Sequence, residues 1–457
     1  MFAIKTLNLR KIILILITTL HLLVLKLLVY FPYPELFIYS YLTQKGLIPY
    51  RDIFDQHFPG IMFFPINLIS LGFDSPHMTR FIQYGIIIMV HILLYKISKR
   101  IFKSGWYAIL VNLLYFIWQP FFEGYVLWID SIVTVFILTS FLFLLKKANK
   151  KNLFLSGLAL GLSLIFKQVV IPLAGVLLFY LIFKKTKRSE ILSFILGFSI
   201  LPAVMLIWVL HRGILFDFIY WTITFNLTIF SEMGRKAPNS NEIVKSLLFF
   251  VPAFLGMFVT LRKKGNLGII TSIFLIGSLI FVYARFDYVH LQPALPYAVI
   301  LIVYCLSSIP HSLRTKLIFF YCVISLFFVY YSMRGNFRKE TLFFGKLETD
   351  LTKSIVKRVK SGDKIFAFGT TPHIYYLTNT LPPGNKFVFQ FPWFMKIAED
   401  EILSGMVSDM PKVVIEDSKS NVNGMNIVSY MPKINKFIDR YYITDEIVDG
   451  VEIKVKR

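Results

Sequence analysis

The chain has 457 residues, 56% of them hydrophobic, and a formal net charge of +23. Soluble domains usually contain about 45–50% apolar residues, so this composition excludes an ordinary soluble protein and predicts a polytopic α-helical membrane protein. The basic residues stand in short groups between apolar runs. That pattern is typical of cytoplasmic loops and argues against nucleic acid as the partner, which would need a basic face interleaved with aromatic residues.

Apolar runs that predict membrane-spanning helices follow one another along residues 1–332. The first, residues 12–30, follows three basic residues and has no small-residue cleavage site, so we interpret it as an uncleaved span. His21 lies within it, and we expect a hydrogen-bonded interior residue rather than a ligand. The other predicted spans are residues 79–97, 105–119, a run ending near 145, 153–166, 169–183, 191–210, 246–261, 267–283, 294–308 and 317–332. The sequence thus predicts about eleven spans.

The distribution of charge between these runs predicts their orientation. If successive loops alternate between the two sides, one side collects 20 lysines and arginines and the other collects 8. The richer side is cytoplasmic by the positive-inside rule. The N-terminus is therefore predicted to lie in the cytoplasm, and everything after residue 332 on the outer side of the cell membrane.

The predicted outer tail, residues 333–457, changes in character. It contains 19 basic and 15 acidic residues and no apolar run long enough to span a bilayer. A helical pattern over residues 342–360 is followed by the β-rich runs DKIFAFG, KFVFQF, PKVVIED and VEIKVK, which alternate with helical patterns at residues 396–407 and 433–440. We therefore predict two domains, a membrane domain over residues 1–332 and a small extracytoplasmic α/β domain over residues 333–457.

The predicted outer loop at about residues 31–78 concentrates ionisable side chains beside the first span. Charged groups are costly inside a bilayer, so we place this cluster at the water interface, where it is a candidate reaction site. Its acids are Asp52, Glu35 and Asp55, and Asp52 is the leading candidate for a catalytic base. If the loop is helical there, Asp52 and Asp55 share a face. The alternative for each acid is a helix cap or a surface ion pair with Arg51.

Cationic side chains stand at other predicted outer ends of spans. Lys167 separates the fifth and sixth spans, and Arg285 and His290 precede the tenth. This division suits transfer of a sugar from a lipid phosphate, because the departing phosphate needs positive charge and the acceptor hydroxyl needs a carboxylate to take its proton. The alternative for these three residues is interfacial anchoring to lipid headgroups.

Three motifs together resemble a known family. The order GLIPYRDIFDQHFPG after the first span, Lys-Gln between the fifth and sixth, and Arg-x4-His-x5-Pro entering a late span is similar to GT-C membrane glycosyltransferases. The most similar branch includes protein O-mannosyltransferases and the aminoarabinose transferase of lipid A. The resemblance implies an inverting mechanism, a polyprenyl-phosphate-linked sugar donor and a base in the acidic first outer loop. It also implies that Arg285, His290, Lys167, His57 and Arg51 bind the donor phosphate.

The chain departs from the family pattern at three positions. Where the family often has an Asp-Glu type pair just after the first span, only Glu35 is present. His57 stands where many relatives have lysine, so its charge would depend on pH. Leu291 replaces the aromatic residue that often follows the late histidine. The identity of the base therefore stays open among the three acids.

The sequence predicts that no metal ion and no cofactor is required beyond the lipid-linked sugar, which is a substrate. The acceptor is a glycan, a lipid or a protein. Two alternative functions remain, a glycan polymerase or ligase and a lipid-linked-sugar transporter or flippase. A transporter should show paired halves with broken helices and ionisable groups near the bilayer midplane, whereas here these groups lie mainly at the ends of spans. We assign Trp221 only a weak role in stacking on sugar.

Overall fold

The computed structural model describes residues 9–263 and 265–457, and most of them are helical. Their contacts divide the chain into two compact units. The first contains the chain up to Phe31, Thr79–Met205 and Lys236–Glu340, and the second contains Pro32–Met78, Leu206–Arg235 and Thr341–Arg457. The second unit therefore combines the first predicted outer loop, the C-terminal region and Leu206–Arg235, the stretch around the end of the seventh predicted span that is called the polar segment below.

Apolar helices make up most of the first unit, because a helix satisfies its backbone hydrogen bonds internally. The apolar helices up to residue 340 are Leu9–Leu27, Pro76–Phe102, Gly105–Trp118, Ile129–Leu144, Lys150–Leu164, Val170–Phe183, Arg188–His211, Ser240–Arg262, Asn266–Leu279, Leu295–Ser307 and His311–Met333, of which Pro76–Phe102 begins and Arg188–His211 ends in residues of the second unit. In the described part of the chain, those long and apolar enough to cross a bilayer are Pro76–Phe102, Arg188–His211, Ser240–Arg262 and the stretch His311–Asn336. The helices indicate a multi-pass membrane protein, and the number of eleven spans stays a prediction.

Two neighbouring apolar helices cross closely at a pair of glycines. A Cβ atom at Gly157 would collide with the carbonyl oxygen of Phe194, and one at Gly161 would collide with that of Phe198. Small residues four positions apart let helix backbones approach in membranes, where dispersion contacts rather than the hydrophobic effect hold helices together. These two positions therefore admit only glycine without moving the helices apart.

His21 is buried and hydrogen-bonded, which confirms the interior role predicted for it. Its Nδ1 lies 3.0 Å from Nε2 of His91, and its Nε2 lies 2.9 Å from Oε1 of Gln119. His91 extends this hydrogen-bond network, since its Nδ1 lies 2.8 Å from Oδ1 of Asn112. The network joins three apolar helices through polar groups that satisfy one another.

Short elements make up the part of the second unit that precedes residue 341. In the first outer loop they are helix Glu35–Gln44, strand Ile53–Phe54, helix Gly60–Phe63 and the 3-10 turn Ile69–Leu71. In the polar segment they are helix Leu215–Ile219, the π-helical turn Tyr220–Thr224, and helices Phe225–Leu227 and Ile229–Met233.

The C-terminal region alternates helices with strands. Its helices are Lys346–Val356, Ile374–Thr378, Pro392–Ser408, Ile427–Tyr430 and Pro432–Tyr441. Its four-stranded sheet has the spatial order Ile365–Phe368, Val413–Glu416, Val451–Lys456, Tyr442–Val448, in which the first pair is parallel and the others are antiparallel. A fifth strand, Phe387–Val388, lies outside this sheet and pairs in parallel with Ile53–Phe54 of the first outer loop. Each of the four predicted β-rich runs thus contains a strand.

Candidate active site

Glu35 is a buried carboxylic acid at the start of its helix. Its residue is 8% exposed, and its Oε2 has no hydrogen-bond partner among the described residues. Burial raises the pKa of Glu35 to about 8, and the negative charge of Asp55 adds to the rise. The acid is therefore largely protonated at neutral pH, and its pKa lies in the range that suits proton transfer under physiological conditions.

Asp55 is buried and has partners on both oxygens. Tyr39 donates from its hydroxyl to Oδ2 over 2.8 Å, and the backbone N–H of His57 donates to Oδ1 over 2.7 Å. The imidazole Nδ1 of His57 lies 3.1 Å from the same Oδ1. The structure thus brings Asp55 and His57 of the predicted cluster together, and Glu35 is near enough for the charge of Asp55 to affect its pKa.

Asp52 lies in a turn rather than in a helix. Its Oδ2 accepts the backbone N–H of Ile48 over 2.8 Å, and Lys386 Nζ lies 3.3 Å from its Oδ1. Asp52 and Asp55 do not share a helical face, because the loop is not helical there and strand Ile53–Phe54 separates the two residues. Both oxygens of Asp52 are engaged in holding the loop.

Arg51 points to other partners in the second unit. Its Nε lies 3.2 Å from Oδ2 of Asp217, and its guanidinium donates to the carbonyl oxygen of Gly213 over 2.6 Å. Both side chains of this ion pair are more than a third exposed. Its contribution to stability is therefore small, and Arg51 ties the first outer loop to the polar segment.

The acidic loop is held by residues distant in sequence. Trp221 is 6% exposed and stacks on Phe54 with ring centroids 4.8 Å apart. Asn226 donates from Nδ2 to the carbonyl oxygen of Gln56 over 2.9 Å, between Asp55 and His57. The sugar-stacking role considered for Trp221 does not fit this burial, since the ring packs in the protein interior.

A buried charged triad forms in the first unit around Lys167. Its Nζ donates to both oxygens of Asp130, over 2.7 and 2.8 Å. Nδ1 of His290 lies 3.2 Å from Nζ of Lys167 and 3.0 Å from Oδ2 of Asp130. Two residues predicted to bind phosphate are thus brought together, and a buried acid joins them.

Burial and the neighbouring Lys167 ammonium lower the pKa of His290, although Asp130 opposes the shift. The imidazole is therefore neutral near pH 7. Two tautomers fit these contacts. A protonated Nδ1 donates to Oδ2 of Asp130, whereas an unprotonated Nδ1 accepts from Lys167 and leaves the N–H on Nε2 as a donor. With a neutral imidazole, the triad offers one cation rather than two.

Arg285 belongs to a second, more exposed ion-pair group. Its Nε lies 3.1 Å from Oδ2 of Asp287, and Lys236 Nζ lies 2.9 Å from Oδ1 of the same carboxylate. Lys236 also lies 3.6 Å from Glu242. Asp287 thus pairs with Arg285, and it fixes the start of the segment that leads to His290.

Asp130 is the residue that reasoning from the sequence missed. It stands one residue after Ile129 begins an apolar helix, and it is fully buried. A lone acid inside an apolar run is costly unless it is paired, and that cost is a signal by which it could have been found. As for metal ions, the described residues contain no group of three or more His, Cys, Asp or Glu side chains arranged to hold one.

The fold is shared with solved membrane glycosyltransferases. The apo structure of ArnT from Cupriavidus metallidurans superposes with a TM-score of 0.67 at 11% identity, and its undecaprenyl-phosphate complex with 0.63 at 11%, each over 97% of both chains. The archaeal oligosaccharyltransferase AglB from Archaeoglobus fulgidus, in complex with an inhibitory peptide and a dolichol-phosphate, gives 0.58 at 11% over 98% of this chain and 74% of its own. The mycobacterial arabinofuranosyltransferase AftD gives 0.53 at 12% over 97% of this chain and 40% of its own.

No protein-family model and no curated protein sequence matches the chain. Its fold is that of the GT-C membrane glycosyltransferases, so the resemblance predicted from the motifs is confirmed at the level of the fold.

Proposed function

We propose that this protein is an inverting glycosyltransferase that moves a sugar from a polyprenyl-phosphate carrier to an acceptor on the outer face of the membrane. The observation that carries the proposal is the whole-chain likeness to ArnT, of which one structure holds undecaprenyl phosphate. AglB, whose structure holds a dolichol-phosphate, adds a second neighbour with a polyprenyl-phosphate ligand.

The reaction requires two kinds of group, and the chain offers both. The acceptor hydroxyl gives its proton to a carboxylate and forms a new bond to the anomeric carbon from the face opposite the phosphate. The bond from that carbon to the phosphate oxygen breaks, and polyprenyl phosphate leaves with the bonding electrons. Lys167 and His290 are proposed to stabilise the developing phosphate charge, with Arg285, His57 and Arg51 as further candidates.

Glu35 is the first of the three acids to test as the base. Its Oε2 has no partner among the described residues, whereas both oxygens of Asp52 and of Asp55 are engaged. A carboxylate oxygen without a partner can accept the acceptor hydroxyl without first breaking a hydrogen bond. Asp52 and Asp55 stay candidates.

The proposal is tested with purified protein in nanodiscs and a panel of polyprenyl-phosphate-linked sugars. The expected result is release of polyprenyl phosphate together with a glycosylated acceptor of inverted anomeric configuration. A protein that carries the intact lipid-linked sugar between leaflets of a liposome, and breaks no glycosidic bond, would be a transporter. Use of polyprenyl diphosphate donors alone would identify a polymerase or ligase.

A further inference from the structure

The turn that carries His290 is attached to a loop far away in sequence. The backbone N–H of Val289 donates to Oε2 of Glu123 over 2.9 Å. On the other side of His290, Gln292 donates from Nε2 to the carbonyl oxygen of Phe122 and accepts a hydrogen bond from Gln119 over 3.3 Å. The loop from Gln119 to Glu123 therefore holds the residues on both sides of His290.

Glu123 reaches this position through an unusual backbone. Its φ is +57°, a left-handed conformation that is uncommon outside glycine and asparagine. Its carbonyl oxygen accepts the N–H of Val126 over 2.9 Å, which closes the turn after it. Such a conformation persists only where surrounding contacts require it, and the side chain's hydrogen bond to Val289 is one of them.

The turn itself supplies few bonds of its own. Tyr288–Leu291 is a single 3-10 turn, in which the N–H of His290 donates to the carbonyl oxygen of Asp287 over 3.0 Å. The first N–H groups of such a turn have no partner within it, and Val289 carries one of them. Without the acceptor that Glu123 supplies, the N–H of Val289 has no partner within the turn, and the backbone on this side of His290 is held less firmly.

We propose that Glu123 is a positioning residue, whose side-chain oxygen fixes the backbone of Val289 and thereby holds His290 against Lys167 and Asp130. The inference rests on the proposed function, in which His290 contacts the donor phosphate. The role belongs to the acceptor oxygen rather than to the charge.

The charge of Glu123 can be separated from its acceptor oxygen. Burial raises the pKa of Glu123 to about 7, so near neutral pH a large fraction is protonated and still accepts through its carbonyl oxygen. Glutamine has the same reach and keeps that oxygen. Asparagine also tolerates the left-handed backbone conformation. Its side chain is one methylene shorter than that of glutamate, so it is not expected to reach the N–H of Val289.

The experiment compares Glu123→Gln with Glu123→Asn in the full chain in nanodiscs. Glu123→Gln is expected to keep kcat/KM for the lipid-linked donor within about threefold of the wild type. Glu123→Asn is expected to lower it about 10- to 100-fold, the scale on which a small misplacement of a catalytic group acts, with the KM for the acceptor unchanged. In a His290→Ala background, Glu123→Asn is expected to have little further effect, because both changes remove the same interaction.

Hydrogen exchange at residues 287–292 gives a readout that does not depend on activity. Protection should be lost in Glu123→Asn and kept in Glu123→Gln. A Glu123→Asn protein with wild-type protection and wild-type donor kcat/KM would overturn the inference, as would a loss that adds fully to that of His290→Ala. An inactive wild type would count against the proposed function, and the exchange measurement would still decide the role of Glu123.

Discussion

The two groups of ionisable residues are built differently. In the triad, Asp130 and Lys167 are both buried, but each oxygen of the acid receives a hydrogen bond from the ammonium. In the acidic loop, Glu35 and Asp55 are also both buried, but burial raises the pKa of Glu35 and the negative charge of Asp55 adds to the rise. The charges of the first group compensate one another, whereas in the second group one acid disfavours ionisation of the other.

The two groups should therefore differ in what they contribute. The triad stabilises the fold, whereas the buried Glu35 destabilises it and is best explained by a role in the reaction. A paired buried charge loses much when one partner is removed, because the other remains in a medium of low polarity. A buried acid with an oxygen that has no hydrogen-bond partner among the described residues costs stability as it stands. We therefore expect the triad to tolerate substitution poorly in folding, and Glu35 to tolerate it well in folding but not in activity.

The largest effect is expected at Glu35. Glu35→Gln removes the only proton acceptor of that side chain and should lower transfer by about 10²- to 10⁴-fold, the usual contribution of a general base. Stability should be unchanged or higher, measured by thermal unfolding in detergent. Glu232→Gln is the matched control, since it makes the same change at an exposed glutamate of the same unit and should leave transfer near the wild-type rate.

Substitution in the triad is expected to lower stability, in contrast to substitution of Glu35. Asp130→Ala leaves Lys167 buried without its acid and should destabilise the protein by about 3–5 kcal/mol. The double variant Asp130→Leu with Lys167→Met should recover much of that stability while remaining inactive in sugar transfer. If the single variant unfolds at the wild-type temperature, the triad does not carry the compensated charge inferred here.

The pH dependence of both activity and stability follows from the raised pKa of Glu35. Since the base must be ionised, the rate of transfer should rise about tenfold per pH unit below 8 and level off above it. The native state favours the protonated acid, so its stabilising contribution is complete below about 4.5, falls as the pH rises towards 8, and then stays constant. The stability of Glu35→Gln relative to wild type should accordingly increase between pH 5 and 8.

A smaller effect is expected at Asp52. Asp52→Asn keeps an oxygen that can accept the N–H of Ile48 and weakens only the contact with Lys386, so transfer should fall by less than tenfold. Lys386→Met should have a similar effect, because it removes the other half of the same ion pair. Complete loss of transfer in Asp52→Asn, with normal insertion into the membrane, would instead make Asp52 the base.

The smallest effect is expected from removal of divalent metal ions. Transfer measured in EDTA should equal transfer measured in magnesium, because the proposed chemistry uses side chains alone to accept the proton and stabilise the phosphate. Activity that is lost in EDTA and restored by one divalent ion would show that transfer requires a metal ion.

Much of the fold follows from local patterns. The helical pattern over residues 342–360 contains helix Lys346–Val356, and the pattern near Lys433 corresponds to helix Pro432–Tyr441. Periodicity decides such elements because each buries one face or satisfies its backbone within itself. The prediction that His21 is an interior residue succeeded for a related reason, since a polar side chain inside an apolar run must find partners.

The sequence by itself determined the apolar helices, four of the strands of the C-terminal region and the residue types available for sugar transfer, but it did not predict strand Tyr442–Val448 of the same sheet. Only the tertiary structure decided that Asp130 pairs with Lys167, that Phe387–Val388 forms a strand with the acidic loop, and that Glu35 rather than Asp52 is buried with an oxygen free of described partners. The physical reason is the separation in sequence over which each kind of interaction acts. Periodicity and capping act over a few residues, whereas burial and the partners of a charge depend on segments more than 100 residues apart, such as Asp130 and His290.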